Sequence, residues 1–443
     1  MLENSGSRAC KDRPPGKLHI LDSGYSGYAG HHYEYTSVVY DEWVGRGGEA
    51  AIYAAKLAEG GPETDCNVRR IFRRSLHSFF TPFRLPALIN GMLNLLLGNA
   101  FYLRDLRKIR NSGFSNKDII LIHTINHSML PAVYLWYKAL PQEHAPYLLL
   151  LFRYNNVEHT PGPHYLPTYR IYKFLMGLFD RLRDAKKVLY TTDSGFLAEE
   201  YQTLTKKKVC VLPIPHMPAA ATGGPPQASA PERIVAVYLG DARDEKGYPL
   251  LSEAVAGILQ DGALQNVDFI IQSNTSRHSG KMSIGARNRL QALGGRVALI
   301  DRSLKTEDYY ELMMKADVVV IPYRIRDYYS RTSGIFAEAM ALGKPVIIPS
   351  DTWMERQLIK YDGGGITFES GSARSLADAF AAFPAKRDEL RRKARAASGQ
   401  WLQFHNPGNY VDMLLQLVGP AGGCSEKTAA EWSAKDWRSI PNE

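Results

Sequence analysis

The stretch DVVVIPYRIRDYYSRTSGIFAEAMALGKPVIIPSDTWMERQ, residues 317–357, contains most of the information about the fold. It begins with an apolar, β-branched run that predicts a buried strand. A helical pattern starts at Ser333-Gly334 and stops at Gly343, and a second apolar run covers residues 346–348. Strand, helix and strand in this order predict a βαβ unit of a parallel sheet.

The start of this helix is a candidate anion site. A helix N-terminus presents unpaired backbone N–H groups and the positive end of the helix dipole. Gly334 lets a phosphate approach the backbone, and Glu338 lies one turn later on the same face, where it can accept hydrogen bonds from ribose hydroxyls. We therefore predict a nucleotide-diphosphate site that contains Ser333, Gly334, Ile335, Phe336 and Glu338.

Two segments resemble a known family. SGIFAEAMALGKPVI at residues 333–347 resembles the donor-site helix of the large group-one family of retaining nucleotide-sugar transferases with the GT-B fold. VAVYLGDARDEKG at residues 235–247 resembles the first strand and basic loop of that family's C-terminal domain. Two motifs in the family's order are more specific than either motif alone. The resemblance implies an α/β fold in which two Rossmann-like, doubly wound domains face each other across a cleft.

Two positions depart from the family's pattern. The family usually carries a first glutamate eight residues before the second, and this chain has Ser330 there. Many relatives place an arginine directly after the strand glycine, where this chain has Asp241, and Arg243 is the nearest replacement. The resemblance therefore leaves the identity of the donor open.

The alternation of strand and helix patterns predicts two α/β domains. Strands are predicted at residues 17–22, 50–54, 117–122, 147–152, 187–191 and 209–213, and then at 234–239, 267–272, 296–300, 317–322, 346–348 and 365–368. Helices are predicted, among others, at residues 33–46, 373–383, 387–403 and 410–418. The predicted divisions are a flexible N-terminus (1–16), an acceptor-side domain (17–213), a linker rich in Pro, Ala and Gly (214–232), a nucleotide-sugar domain (233–405), a helix that crosses back (406–420) and a tail (421–443).

Fixed cations are expected to stabilise the departing diphosphate. The sequence contains no Asp-x-Asp, the motif that would hold a divalent metal, so we predict no metal and no cofactor besides the nucleotide-diphosphate sugar donor. Arg243, Lys246 and Gly247 follow a strand end that should face the cleft, where they join the helix N-terminus. Tyr323 and Arg331 are expected to line the same pocket.

Candidate residues of the first domain follow its predicted strands. Gly27, Gly30 and His31 belong to a loop after the first strand that would meet the acceptor or the phosphates. Arg153 stands where family members often place a histidine that contacts the donor sugar, and an arginine there would act electrostatically, because it cannot serve as a base. The predicted catalytic residues are Arg153, His127 and Asn126.

Charge and cysteine content suggest a location. The chain of 443 residues has a net charge of +9, and many of its arginines flank an uncharged apolar block within residues 68–110. This arrangement favours docking at an anionic membrane surface over a plain core helix, and no nucleic-acid-binding signature is present. Four scattered cysteines are interpreted as free thiols, and the N-terminus lacks an apolar leader. We therefore expect a cytoplasmic protein, peripheral at the inner face of the plasma membrane.

The sequence thus predicts a metal-independent glycosyltransferase resembling hexosyltransferases. It would move a sugar to a hydroxyl of a lipid-linked or surface-polysaccharide glycan, with the retention of configuration that the resemblance implies. Two alternatives remain at this point: a non-catalytic binding or scaffold protein with the GT-B fold, which Ser330 supports, and an epimerase or phosphorylase with that fold.

Overall fold

The computed structural model describes residues 14–25, 31–56, 67–74, 87–110, 113–158, 164–215, 233–262, 264–275 and 279–419. The strands of the N-terminal domain are β1 (Leu18–Leu21), β2 (Ala50–Ala55), β3 (Val68–Phe72), β4 (Ile119–Ile125), β5 (Tyr147–Phe152), β6 (Val157–Glu158), β7 (His164–Tyr165), β8 (Val188–Thr192) and β9 (Val209–Val211). Its helices are α1 (His31–Gly45), α2 (Ala87–Arg110), α3 (Leu130–Lys138), α4 (Thr168–Phe179) and α5 (Gly195–Gln202). Seven strands form a parallel sheet in the order β3-β2-β1-β4-β5-β8-β9, and β6 pairs with β7 in an antiparallel ladder.

The C-terminal domain repeats this plan with a smaller sheet. Its strands are β10 (Ile234–Tyr238), β11 (Val267–Gln272), β12 (Val297–Ile300), β13 (Val318–Val320), β14 (Val346–Pro349) and β15 (Gly365–Phe368). Its helices are α6 (Tyr248–Gln260), α7 (Lys281–Leu293), α8 (Thr306–Lys315), α9 (Ile325–Tyr328), α10 (Gly334–Ala341), α11 (Trp353–Lys360) and α12 (Ala373–Phe404), and α13 (Pro407–Val418) follows. The strands are all parallel in the order β12-β11-β10-β13-β14-β15.

The strand order positions the site. In each sheet the chain starts at a central strand, builds outward, and then crosses to the other side, at β1/β4 in the first domain and at β10/β13 in the second. Ligands of doubly wound sheets bind outside the carboxyl ends of the strands at such switch points. The predicted α/β fold with two doubly wound domains is confirmed.

Helix α13 belongs to the core of the N-terminal domain although it ends the described chain. Its apolar residues Tyr410, Val411 and Leu414 are fully buried in one cluster with Leu18 and other side chains of the first sheet. Arg46, the residue that follows α1, also donates a hydrogen bond of 2.8 Å to the carbonyl of Gly408. The two domains are therefore joined by this helix as well as by the segment between their sheets.

Two expectations from the sequence need correction. Residues 373–404 form one helix, although two were predicted; Pro384 lies inside it, and Phe383 and Leu390 on either side are buried in the same core, so packing outweighs the cost of the proline. Cys210 is disulfide-bonded and not a free thiol; the spacing of cysteines in a sequence does not show which of them meet in space. Cys10, Cys66 and Cys424 lie outside the described residues. The basic residues 68–72, for which no helix or strand was predicted, form the edge strand β3.

Candidate functional site at the interdomain cleft

Helix α10 begins at the residues that the sequence predicts. The side chain of Ser333 caps this helix, because its hydroxyl accepts a hydrogen bond of 3.3 Å from the amide of Phe336. The amides of Gly334 and Ile335 come before the first intrahelical bond, which Ala337 donates to the carbonyl of Ser333. These two amides therefore remain for a negatively charged ligand.

Lys246 is the buried cation of this site. It ends a short turn after β10, its side chain is only 8% exposed, and its Nζ lies 5.9 Å from the centre of the Tyr323 ring. Gly240 makes room for the ammonium group, since a Cβ at that position would lie 2.8 Å from Nζ. Burial, assisted by the nearby Arg243, lowers the pKa of Lys246 to about 8. Asp241, Glu245 and Glu338 act in the opposite direction, and a bound diphosphate would add further negative charge beside this cation.

Further cations and tyrosines surround Lys246. Arg243 is held by Glu245 at 3.1 Å. The rings of Tyr323 and Tyr328 lie 4.3 Å apart, and the guanidinium of Arg331 lies 4.9 Å from the centre of the Tyr328 ring. The structure thus brings Arg243, Lys246, Tyr323 and Arg331 together near the capped start of α10. That they hold a diphosphate stays a prediction.

Glu338 is present at this site, but its carboxylate already has a partner. It is 1% exposed and accepts a hydrogen bond from the hydroxyl of Tyr309, which α8 supplies. Burial and the charge of Glu338 raise the pKa of the Tyr309 hydroxyl well above its ordinary value. A ribose hydroxyl would therefore share this carboxylate with Tyr309.

Two predicted donor-site residues have structural explanations. The side chain of Phe336 is fully buried and packs against Trp353, with ring centres 5.6 Å apart, so only its backbone lies at the helix start. Gly247 has a φ of +66°, and a Cβ there would come within 1.6 Å of the carbonyl oxygen of Pro322. This glycine is required by the close approach of two backbone segments.

Four polar residues of the N-terminal domain end four adjacent strands. Asp22 follows β1, His123 lies near the end of β4, Arg153 follows β5 and Asp193 follows β8. Arg153 contacts two of the others. Its Nη1 lies 3.1 Å from Nε2 of His123, and its Nε donates a hydrogen bond of 2.7 Å to Asp193. His123 in turn lies 3.1 Å from Asp22 through Nδ1. These residues, with His32 and Thr36, form what we call the strand-end network.

The protonation state of His123 follows from its neighbours. An arginine can only donate, so Nε2 of His123 must accept and the proton must reside on Nδ1. Burial lowers the pKa of His123 to about 4, which agrees with a neutral ring. Burial would raise the pKa of Asp22, but the adjacent His32 and His123 outweigh it and hold that pKa well below the ordinary value. The network therefore centres on one buried carboxylate.

His32 and Thr36 complete the shell around Asp22. The ring nitrogen Nδ1 of His32 lies 2.9 Å from Oδ1, and the hydroxyl of Thr36 donates to Oδ2 at 3.0 Å. Potential ligand atoms of Asp22, His32 and His123 lie within 4.8 Å of one another, which would suit a metal ion. Direct hydrogen bonds and the neighbouring Arg153 already account for this arrangement, so we interpret it as a hydrogen-bonded network.

Side chains of the N-terminal domain contact the segment of the other domain that precedes α10. Thr332, next to the cap residue of α10, donates a hydrogen bond of 2.9 Å to Asp193. Arg331 lies over the ring of Tyr154, at 5.1 Å from its centre, and Arg326 forms an ion pair with Glu158. The segment before α10 is thus anchored on the first domain, and Arg153 and the residues around Lys246 are brought to one cleft.

The remaining predicted residues lie elsewhere or outside the described chain. His127 packs edge-on against Tyr172, with ring centres 5.8 Å apart, and Asn126 accepts hydrogen bonds from Ser128 in a turn before α3. Arg153 instead contacts His123 and Asp193. Gly27 and Gly30 lie outside the described residues, and so does the side chain of His31, whose backbone begins α1.

Sequence reasoning missed Asp22, His123 and Asp193 as site residues. A signal was present, because each follows or ends an apolar strand run: LHILD, IILIH and VLYTTD. Carboxyl ends of neighbouring parallel strands meet at one edge of a sheet, so polar residues at such positions converge.

The fold defines an α/β protein of the GT-B class, with two Rossmann-like domains, and in the second of them the cations and the capped start of α10 lie together. Residues 233–383 match the family model described as Glycosyl transferases group 1, which confirms the predicted resemblance for the C-terminal domain. No curated protein matches the sequence.

Solved structures share the fold over nearly the whole chain. Sucrose-phosphate synthase from Thermosynechococcus elongatus is 14% identical with a TM-score of 0.63, covering 91% of this chain and 98% of its own. HepE of Anabaena, solved in complex with UDP, is 13% identical with a TM-score of 0.61, covering 91% and 99%. A trehalose-6-phosphate protein from E. coli bound with UDP-2-fluoro glucose is 10% identical with a TM-score of 0.63, covering 91% and 99%. At these identities the likeness establishes the fold.

Proposed function

We propose that this protein is a glycosyltransferase that moves a sugar from a nucleotide-diphosphate sugar to an acceptor hydroxyl. The observation that carries the proposal is the convergence of Lys246, Arg243 and the capped start of α10 on one anion site, with Glu338 one turn away. Fixed positive charge at this place would stabilise the negative charge that develops on the leaving diphosphate. We propose that this replaces a divalent metal.

A uridine nucleotide is the first donor to test. HepE has been solved with UDP and glucose, and the E. coli protein with UDP-2-fluoro glucose. In this chain a cavity of about 500 Å³, lined in part by Ile300, Arg302 and Leu312, lies beside α8, the helix that supplies Tyr309 to Glu338. A cavity of this size has room for a nucleoside.

The acceptor would enter from the side of the strand-end network. Arg153 faces the donor segment through Asp193 and Thr332, and a positive charge there suits the oxygens of the transferred sugar or the phosphate. We propose a lipid-linked or surface-polysaccharide glycan as acceptor, a hexose as the transferred sugar, and a cytoplasmic location at the membrane. Retention of configuration is proposed on the resemblance to the group-one family.

Release of the nucleoside diphosphate tests the proposal. The full chain is incubated with a panel of nucleotide sugars, with and without glycan acceptors, and the diphosphate and the anomeric form of the product are measured. We expect release from one donor class, greatly reduced in Lys246→Ala. Turnover that requires inorganic phosphate would indicate a phosphorylase, and interconversion of the donor sugar without transfer would indicate an epimerase.

A non-catalytic binding protein is the second candidate. It is favoured by Ser330, which replaces the family's first glutamate and donates its hydroxyl to Glu200 of the other domain at 2.5 Å. Nucleotide binding without release from any donor or acceptor in the panel would support this candidate over the transferase.

A further inference from the structure

The exposed apolar side chains of this protein concentrate on one face. The large hydrophobic residues that the described chain exposes on α2, α3, α4 and β7 are Ile89 (47%), Met92 (58%), Leu96 (63%), Leu135 (51%), Tyr165 (59%), Ile171 (37%) and Phe174 (65%). The others are scattered: Val44, Met282, Ile284 and Ile359. Single exposed apolar residues are ordinary, whereas a concentration marks an interaction surface.

The three helices lie side by side. Asn99 of α2 donates to the carbonyl of Ser128 at 2.6 Å and accepts from the amide of Ala132 in α3 at 2.9 Å. Tyr134 of α3 packs edge-on against Phe179 of α4, with ring centres 5.4 Å apart. Their outward residues therefore form one surface, which we call the α2–α4 face.

The outward side of helix α2 is apolar in its first part and positively charged in its last turns. Ile89, Met92 and Leu96 are spaced by three and four residues, so they form a stripe on one side of the helix. Arg107 follows Ile89 by about five turns at ~3.6 residues per turn and continues the same stripe. Exposed apolar side chains are thus followed, along the same side of the helix, by exposed cations.

The charge of the α2–α4 face is of one sign. Its exposed cations are Arg104, Arg107, Lys108, Lys138, Arg170 and Lys173. The acidic residue of these three helices is Asp105, which is 2% exposed and paired with Lys108 at 2.5 Å. The exposed Arg69 and Arg70 of the edge strand β3 add to the positive field near the part of α2 where Tyr102 stacks on Phe72 of β3.

We propose that the α2–α4 face docks on the surface of an anionic lipid bilayer. Apolar side chains would enter the boundary between headgroups and acyl chains, while the cations meet the lipid phosphates. Among the described residues, no helix is both long and apolar enough to cross a bilayer, so the contact is interfacial. This surface is larger than the segment 68–110 that the sequence indicates, because it also includes α3 and α4. The proposal does not depend on the transferase reaction.

A second copy of the chain fits the α2–α4 face less well than a lipid surface does. A two-fold symmetric dimer would place the same patch on both sides of the interface and would bring these cations against one another. A lipid surface offers the opposite charge and accepts apolar side chains. Each cation near such a surface contributes about fivefold to binding, an effect that salt reduces.

Cosedimentation of the full chain with vesicles tests the proposal. We expect binding to vesicles of phosphatidylglycerol mixed with phosphatidylcholine, little binding to pure phosphatidylcholine, and partial release at high salt because the apolar contribution remains. No binding to the anionic vesicles at low salt would overturn the proposal.

Matched variants locate the surface. Leu96→Gln with Phe174→Gln should weaken vesicle binding at least about tenfold, while Met282→Gln with Ile284→Gln, on α7 of the other domain, should leave it unchanged. Arg107→Glu with Arg170→Glu should weaken binding by about a hundredfold or more, in contrast to Lys315→Glu with Arg374→Glu, an equal charge change elsewhere. Circular dichroism and thermal unfolding check that each variant is folded.

Equal loss in a variant pair and its control would refute the assignment to this face. Light scattering of the same proteins without lipid measures their oligomeric state and so tests whether a second copy of the chain covers this face. A dimer that becomes monomeric in the Leu96/Phe174 variant would show that the face binds a second copy, and would overturn the membrane proposal.

Discussion

The hydroxyl of Ser330 donates a hydrogen bond of 2.5 Å to Oε1 of Glu200, across the boundary between the two domains. Oε2 of the same carboxylate accepts from the amide of Asn156 at 2.8 Å, and Ser330 is fully buried. A carboxylate is therefore present next to position 330, but the N-terminal domain provides it. A serine at position 330 fits beside Glu200, because a second carboxylate buried there would repel the first.

The first prediction follows from this pair. Ser330→Glu should lower the free energy of unfolding by about 3 kcal/mol or more, because it adds a second buried carboxylate, whereas Ser330→Ala should cost about 1–2 kcal/mol. Urea denaturation monitored in both domains is the measurement. Combining Ser330→Glu with Glu200→Gln should recover a large part of the loss. If the double variant is as unstable as the sum of the single variants, the direct contact is not the cause.

The second prediction concerns Lys246. Lys246→Ala should weaken binding of the nucleoside diphosphate by about tenfold to a hundredfold, as expected for ~1.5–3 kcal/mol of a charge-assisted contact. Calorimetric titration with UDP measures it. Lys344 is the control: it is buried as well, with its pKa lowered by burial to about 8, but its Nζ donates to the carbonyl of Ala316 at 3.2 Å. Lys344→Met should reduce stability and leave UDP affinity unchanged.

The third prediction is the pH dependence of that binding. The pKa of Lys246 in the free protein is about 8, and a bound diphosphate stabilises the charged form. Affinity should therefore fall as the pH rises above about 8. Lys246→Arg should remove this decline, since arginine stays charged. A flat affinity profile between pH 7 and 10 for the unmodified protein would exclude Lys246 from the diphosphate site.

The fourth prediction uses His123. Its folded-state pKa of about 4 lies below the ordinary value of about 6.5, so the unfolded chain binds the proton first. This group's contribution to stability is fully present above pH ~6.5 and is lost as the pH falls toward 4, by at most about 3 kcal/mol. His405, whose pKa burial also lowers, acts in the same direction. The slope of stability against pH should therefore be smaller, but not zero, in His123→Gln.

The fifth prediction concerns metals. Donor turnover should survive treatment with EDTA, because the fixed cations Arg243 and Lys246 and the start of α10 supply the positive charge. Loss of turnover that manganese or magnesium restores would contradict this. In that case Asp22, His32 and His123 are the first residues to replace, since their ligand atoms lie within 4.8 Å of one another.

The sequence by itself determined the local elements and the residues around the start of α10. Residues 317–357 contain their own strand, cap, helix and second strand, and Ser333 and Gly334 start the helix through contacts within a few residues. Periodicity and capping are local properties, so a single sequence displays them. The same reasoning failed at residues 373–404, where burial on both sides of Pro384 keeps one helix continuous.

Only the tertiary structure decided which polar residues from distant parts of the chain contact one another. Thr36 meets His123 from 87 positions away, and Ser330 meets Glu200 from 130 positions away. His127 and His123 are close in the chain, but β4 carries His123 to Arg153, whereas His127 lies in the following turn against Tyr172. Such pairings depend on strand order and on the docking of one domain against the other. Neither leaves a periodic signal in the sequence, because both are set by the packing of distant segments.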